Sequence, residues 1–192
     1  MFEALFVSAG VVALAEIGDK TQLLALVLAA RYRRPVPIIL GILVATLVNH
    51  AIAGALGAWI SAMVGPVAMR WILGISFIAM AVWTLIPDKY EEQTAKPPRF
   101  GIFGATVIAF FLLEMGDKTQ IATVALAARY ASLVAVVAGT TIGMLLANVP
   151  AVLLGEIAAR KLPMRLVHGI AAAVFAVLGI LVLLGLPGTP GP

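Results

Sequence analysis

Residues 16–32 read EIGDKTQLLALVLAARY and residues 114–130 read EMGDKTQIATVALAARY; at an offset of 98, eleven of the seventeen positions are identical. Both segments set Glu, Asp and Lys inside otherwise apolar sequence. The likeness continues more weakly at the same offset, where Gly41 matches Gly139 and Gly57 matches Gly155. At an offset of 95, Arg70 matches Arg165 and Gly74 matches Gly169. A duplicated unit is expected, and the content of each copy decides the fold.

Each copy holds three apolar runs of about 20 residues, the length that crosses a bilayer as a helix. Hydropathy predicts spans near 4–30, 36–61, 67–87, 101–129, 132–158 and 164–186, with Pro35, Pro37, Pro66 and Pro163 marking short connections. The polar, Pro-rich stretch 88–100 reads as a cytoplasmic linker between a first three-helix repeat, 1–87, and a second, 101–192. Composition agrees, with 62% hydrophobic and 11% charged residues and a mean hydropathy of +1.10. A soluble domain carries about a quarter charged residues. The expectation is an all-α integral membrane protein.

An odd number of spans per copy forces the second copy to enter the membrane from the opposite side, giving two inverted repeats with motif helices 1 and 4 at the centre. Arg31, Arg33, Arg34, Lys89, Lys96, Arg99, Arg160, Lys161 and Arg165 fall in one set of loops and ends, against Arg70 and Arg129 in the other. The basic set is expected in the cytoplasm and both termini outside it. Met1-Phe2-Glu3 lacks the basic start of a cleaved signal peptide. The pI near 9.8 thus reports topology, and nucleic acid is not an expected partner. With no cysteine, disulfides, thiolate metal sites and Cys nucleophiles are excluded.

Glu16, Asp19, Lys20, Glu114, Asp117 and Lys118 remain inside spans, near mid-bilayer. A charge at that depth costs at least about 2.5–3.5 kcal/mol. In a continuous helix Glu16, Asp19 and Lys20 share one face. Two apposed segments bring four carboxylates and two ammonium groups together, a deficit that a divalent cation neutralises. Gly18 and Gly116 mark candidate helix breaks, where freed carbonyls add ligands. Thr21, Gln22, Thr119 and Gln120, with Asn49 and Asn148 of the second span of each copy, are candidate site-lining groups, as are Lys20 and Lys118. An all-oxygen set suits hard cations such as Mn²⁺, Ca²⁺ or Mg²⁺. Like-charged carboxylates in low dielectric also hold protons, so one cluster serves both partners of an exchanger.

The motif Glu-x-Gly-Asp-Lys/Arg-Thr/Ser, standing here as Glu16–Thr21 and Glu114–Thr119, resembles the family of Golgi calcium/manganese transporters and bacterial manganese exporters. Length, span count and duplication extend the resemblance over the whole chain. It implies a secondary transporter, not an enzyme, that exchanges Mn²⁺ or Ca²⁺ for protons and exports the cation. It also implies Glu16, Asp19, Glu114 and Asp117 as metal ligands. The short linker resembles a bacterial member, which implies the inner (plasma) membrane. No cofactor is implied, since the metal is the transported substrate.

Other readings compete. The motif acids could be structural ion pairs, Glu16 with Lys20 and Glu114 with Lys118, at i,i+4. Asn49 and Asn148 could be interhelical glue. His50, which has no counterpart His in the second copy, reads as a private packing residue. Spans 3 and 6 carry no carboxylate and read as packing helices, with Gly74, Gly169 and Gly179 at their contacts. Rival functions are a proton-coupled exporter of a small organic cation or amino acid, a cation channel, and an intramembrane enzyme on lipid phosphate. The first wants aromatics beside the acids, the second a ring of acids in an oligomer, and the third more Arg, His and a nucleophile.

Overall fold

The computed structural model describes residues 1–86, 100–154 and 164–185. These form eight helices: α1 (Phe2–Glu16), α2 (Lys20–Tyr32), α3 (Pro35–Met63), α4 (Pro66–Thr84), α5 (Gly101–Glu114), α6 (Lys118–Arg129), α7 (Leu133–Leu154) and α8 (Met164–Leu184). Among them α3, α4, α7 and the Leu166–Leu184 part of α8 are long and apolar enough to cross a membrane. The chain is an integral membrane protein. Pro35 and Pro66 sit at the first helical position, where a missing N–H leaves no hydrogen bond unmade. Arg33, left-handed at φ 51°, turns the chain from α2 into α3.

The stretches 4–30 and 101–129 are not single helices. Each divides at its motif, and the two divisions have the same backbone path. Ile17 and Met115 are extended (ψ 117° and 120°), Gly18 and Gly116 take φ 85° and 76°, and Asp19 and Asp117 are extended again at ψ 167°. A side chain at the glycine positions would strain that left-handed backbone. One helix therefore ends at Glu16 and another begins at Lys20, so Glu16, Asp19 and Lys20 do not share the face of one helix.

Several helix contacts recur when α1–α4 are exchanged for α5–α8. α1 packs on α7 as α5 packs on α3; α2 meets α7 as α6 meets α3; α1 touches α6 as α2 touches α5. α3 and α7 meet each other, as do α4 and α8. Two matched glycines allow close approaches. Gly41 faces Thr106 and the Phe103 carbonyl of α5, and Gly139 faces Ser8 and the Leu5 carbonyl of α1. Both the glycines and their partners stand 98 residues apart.

In the α4–α8 pair, Gly74 lies against Leu183 and Gly179, and Phe77 stacks on Phe175 with ring centroids 6.4 Å apart. Gly169 lies near the start of α8, and no described residue comes within 4 Å of where a Cβ would stand. Most of the 88–100 linker lies outside the described residues. So do Lys89, Lys96, Arg99, Gly155, Arg160, Lys161, Pro163 and the Arg165 side chain.

Candidate cation site at the paired helix breaks

α1 and α5 close on Glu16 and Glu114, and both side chains are fully buried. Three residues beyond, Asp19 and Asp117 stand at the N-caps of α2 and α6, each 1% exposed. An Asp at this position ordinarily accepts an N–H from the first turn of its own helix. Neither does so here. Lys118 Nζ instead lies 2.8 Å from Asp19 Oδ1, and Lys20 Nζ lies 2.9 Å from Asp117 Oδ1. Each motif lysine thus holds the aspartate of the other motif. Glu16–Lys20 and Glu114–Lys118 pairing would need unbroken i,i+4 spacing, which the breaks remove.

The two glutamines stabilise the breaks. Gly18 N–H donates to Gln22 Oε1 at 2.9 Å, and Gly116 N–H donates to Gln120 Oε1 at 2.7 Å. Both amides then reach into the opposite half. Gln22 Nε2 donates to the Ala147 carbonyl of α7 at 2.9 Å, and Gln120 Nε2 to Asn49 Oδ1 of α3 at 2.6 Å. Asn49 Nδ2 in turn donates to the Phe111 carbonyl at 3.3 Å. The Gln22, Gln120 and Asn49 oxygens are therefore already engaged in holding backbone and helices together. Thr119 Oγ1 approaches Asp117 Oδ2 at 3.5 Å. The Thr21 hydroxyl is buried with no hydrogen-bond partner among the described residues.

Glu16, Asp19 and Asp117 each offer a carboxylate oxygen, and these oxygens lie within 4.8 Å of one another. Glu114 is near enough to act on Glu16 electrostatically but lies outside that trio. His50 Nε2 stands 2.6 Å from Glu114 Oε1, both side chains fully buried. Glu16 has the Asn148 amide beside it instead, while Asn148 Nδ2 also donates to the Met144 carbonyl at 3.1 Å. The symmetric frame thus carries an asymmetric pair: a glutamate beside an asparagine in one half, beside a histidine in the other. The missing counterpart of His50 was visible in the sequence; its reach to Glu114 across α3 and α5 was not.

Three buried carboxylates from two chain segments form an all-oxygen, strongly acidic cluster suited to a hard divalent cation. The C-terminal ends of α1 and α5 bring carbonyl dipoles of the same sign to the breaks. Two ammonium groups on the same acids offset part of the negative charge.

Comparison with known proteins gives a consistent result. The family described as "Divalent cation/proton antiporter GDT1" matches residues 4–92 and 102–188. A Vibrio cholerae serotype O1 protein named "Putative manganese exporter" is 50% identical over 181 residues, covering 94% of this chain and 90% of that protein. "GDT1-like protein 3" of Arabidopsis thaliana is 27% identical over 203 residues, 91% of this chain and 68% of its own length. The rice (Oryza sativa subsp. indica) protein of the same name is 26% identical over 202 residues, 91% of this chain and 71% of its own. No solved structure matches.

Proposed function

The chain belongs to the GDT1 family of divalent cation/proton antiporters, and from that premise we propose that it exchanges Mn²⁺ or Ca²⁺ for protons and exports the cation from the cytoplasm. The observation that carries this reading is the cluster of Glu16, Asp19 and Asp117, whose oxygens converge within 4.8 Å from both motifs. The name of the Vibrio cholerae relative supports manganese and outward transport.

The arrangement is read as six spans in two inverted three-helix repeats, 1–87 and 101–192, joined by the 88–100 linker. α1–α2 and α5–α6 are then two interrupted spans whose breaks meet at mid-membrane, a recurrent design of secondary transporters. The surplus of Lys and Arg in the 31–34, 88–100 and 160–165 stretches supports cytoplasmic loops there, with both termini outside a bacterial inner membrane.

Without cation, Lys118 and Lys20 shield Asp19 and Asp117. A divalent cation entering from the cytoplasm carries twice the charge of an ammonium group and displaces the two lysines from these acids. Glu16 completes its oxygen shell. On the outer side, protons arriving down their gradient take the same carboxylate oxygens, and the cation leaves. Because the lysine pairs join the two halves, exchanging ammonium for cation also changes what holds the halves together. Rocking of one half against the other would then open the site to alternate sides.

The test is transport by the purified protein in liposomes, with Mn²⁺ or Ca²⁺ supplied under an imposed pH gradient and both metal and proton movement recorded. Gradient-driven metal flux with opposite proton flux, lost in Glu16→Gln and Asp117→Asn, is expected. No flux of either ion, with the variants indistinguishable from the native protein, overturns the reading.

A further inference from the structure

The same alignment that matches the motifs matches Arg31–Tyr32 with Arg129–Tyr130. In both places the guanidinium lies over the following tyrosine ring, at 5.6 and 5.4 Å from its centroid. The surroundings then diverge. Arg31 is exposed, whereas Arg129, at the C-terminal end of α6, is only 7% exposed. Its Nε and Nη1 are buried and have no hydrogen-bond partner among the described residues.

A cavity of about 360 Å³ lies against it. Ala58, Ser61 and Ala62 from the end of α3 form one wall, and Tyr130 and Leu133 form the other. Such a volume falls in the roughly 300–1,000 Å³ range of small-ligand sites. Glu3 is the acid at this end that touches the site's rim: the Tyr130 hydroxyl donates to Glu3 Oε1 at 3.4 Å. Glu3 makes no hydrogen bond to the buried Nε or Nη1 of Arg129. The described protein therefore leaves a permanently charged guanidinium, removed from water, facing a cavity it helps to line.

We propose that this cavity is a binding site for a phosphate-class oxyanion held by Arg129. Arginine is always protonated, and burying it is strongly unfavourable unless an anion meets its N–H groups. An anion with several oxygens can accept from more than one guanidinium N–H at once. The alanine and leucine walls leave room for an apolar extension of that anion. The position at the end of a membrane helix is where lipid phosphates lie. A phospholipid headgroup and free phosphate share this chemistry. The proposal needs neither the antiport reading nor the cation site.

The experiment uses the full-length protein in an uncharged detergent, titrated separately with phosphatidylglycerol micelles and with inorganic phosphate. Retained lipid is read by native mass spectrometry and phosphate binding by calorimetry. Arg129→Gln removes the charge, and Ala62→Phe, at an exposed rim position, fills the cavity while keeping the charge. At least a tenfold loss of binding for one probe in both variants supports the site. Loss confined to the lipid identifies a headgroup, and loss confined to phosphate identifies a free anion. If Arg129→Gln does not fold, Ala62→Phe decides alone. Binding of both probes within twofold of native in the variants overturns the proposal.

Discussion

Lys118 lies 2.8 Å from Asp19, a residue 99 positions earlier in the chain, and the pair is almost wholly buried, at 2% and 1% exposure. The reciprocal pair, Lys20 with Asp117 at 2.9 Å, leaves its lysine 23% exposed. Two copies of one motif thus bind each other crosswise through their own opposite charges. Such a lock satisfies the buried acids while the cation is away, and it puts the inter-half contact on the residues that a cation would engage.

The first prediction concerns this lock. Removing one member of a buried ion pair costs about 3–5 kcal/mol, so Lys118→Met is expected to lower the thermal midpoint of the metal-free protein markedly. Lys20→Met should lower it less, because Lys20 is partly exposed and water already screens that pair. Added Mn²⁺ or Ca²⁺ should then raise the midpoint of Lys118→Met by more than that of the native protein. Equal midpoints for the native protein and both variants, with and without metal, would contradict the lock.

A second prediction separates the two glutamates. Glu16 stands in the three-carboxylate cluster and Glu114 does not. Glu16→Gln is expected to weaken divalent-cation binding on the order of 100-fold, the upper end of what loss of a supporting group around a metal costs. Glu114→Gln should weaken it less than tenfold. Calorimetric titration of the purified variants measures both; matching losses would make Glu114 a direct ligand beside Glu16.

The sequence carried the frame of this site because duplication is legible from identity alone. Glu16, Gly18, Asp19 and Lys20 have exact counterparts 98 residues on, and the paired glycines fall where both helices break. Partner choice was less legible. Read as continuous helix, each motif offers its lysine to its own glutamate at i,i+4, but a break of three residues changes which groups face one another. Gln22 and Gln120 looked like spare oxygens, and the freed Gly18 and Gly116 N–H groups take them. Residue types and repeat spacing are local properties; the crosswise pairs and the His50–Glu114 contact depend on how the two halves dock.

His50 and Glu114 supply the third prediction. At 2.6 Å and with no exposure, the close contact between His50 Nε2 and Glu114 Oε1 has no solvent to replace it. His50→Phe strands a buried carboxylate and is expected to cost about 1–3 kcal/mol. His50→Gln keeps an N–H donor in nearly the same place and should recover most of that loss. Thermal unfolding in detergent compares them; equal stability of His50→Phe and native protein would make the contact incidental.

The last prediction tests the close packing that positions both breaks. A Cβ on Gly41 would stand 2.7 Å from the Thr106 Cβ and 3.1 Å from the Phe103 carbonyl oxygen. α3 and α5 would have to separate, and overpacking of this kind costs about 1–3 kcal/mol. Alanine is a better helix former than glycine by about 1 kcal/mol, so a clash-free site should show the opposite sign. Gly10 in α1 is such a site, with no described residue within 4 Å of the added atom. Gly41→Ala is therefore expected to lower the thermal midpoint and Gly10→Ala to leave it unchanged or raise it. Gly139→Ala should be the most costly of the three, because its Cβ would meet the Leu5 carbonyl, a backbone atom on α1 that cannot rotate away. Since α1 and α5 run straight into the breaks that carry Asp19 and Asp117, displacing either helix also moves a clustered carboxylate, and cation affinity should fall with stability in Gly41→Ala and Gly139→Ala but not in Gly10→Ala. Loss of stability with cation affinity intact would show that the glycine contacts hold the bundle without setting the site.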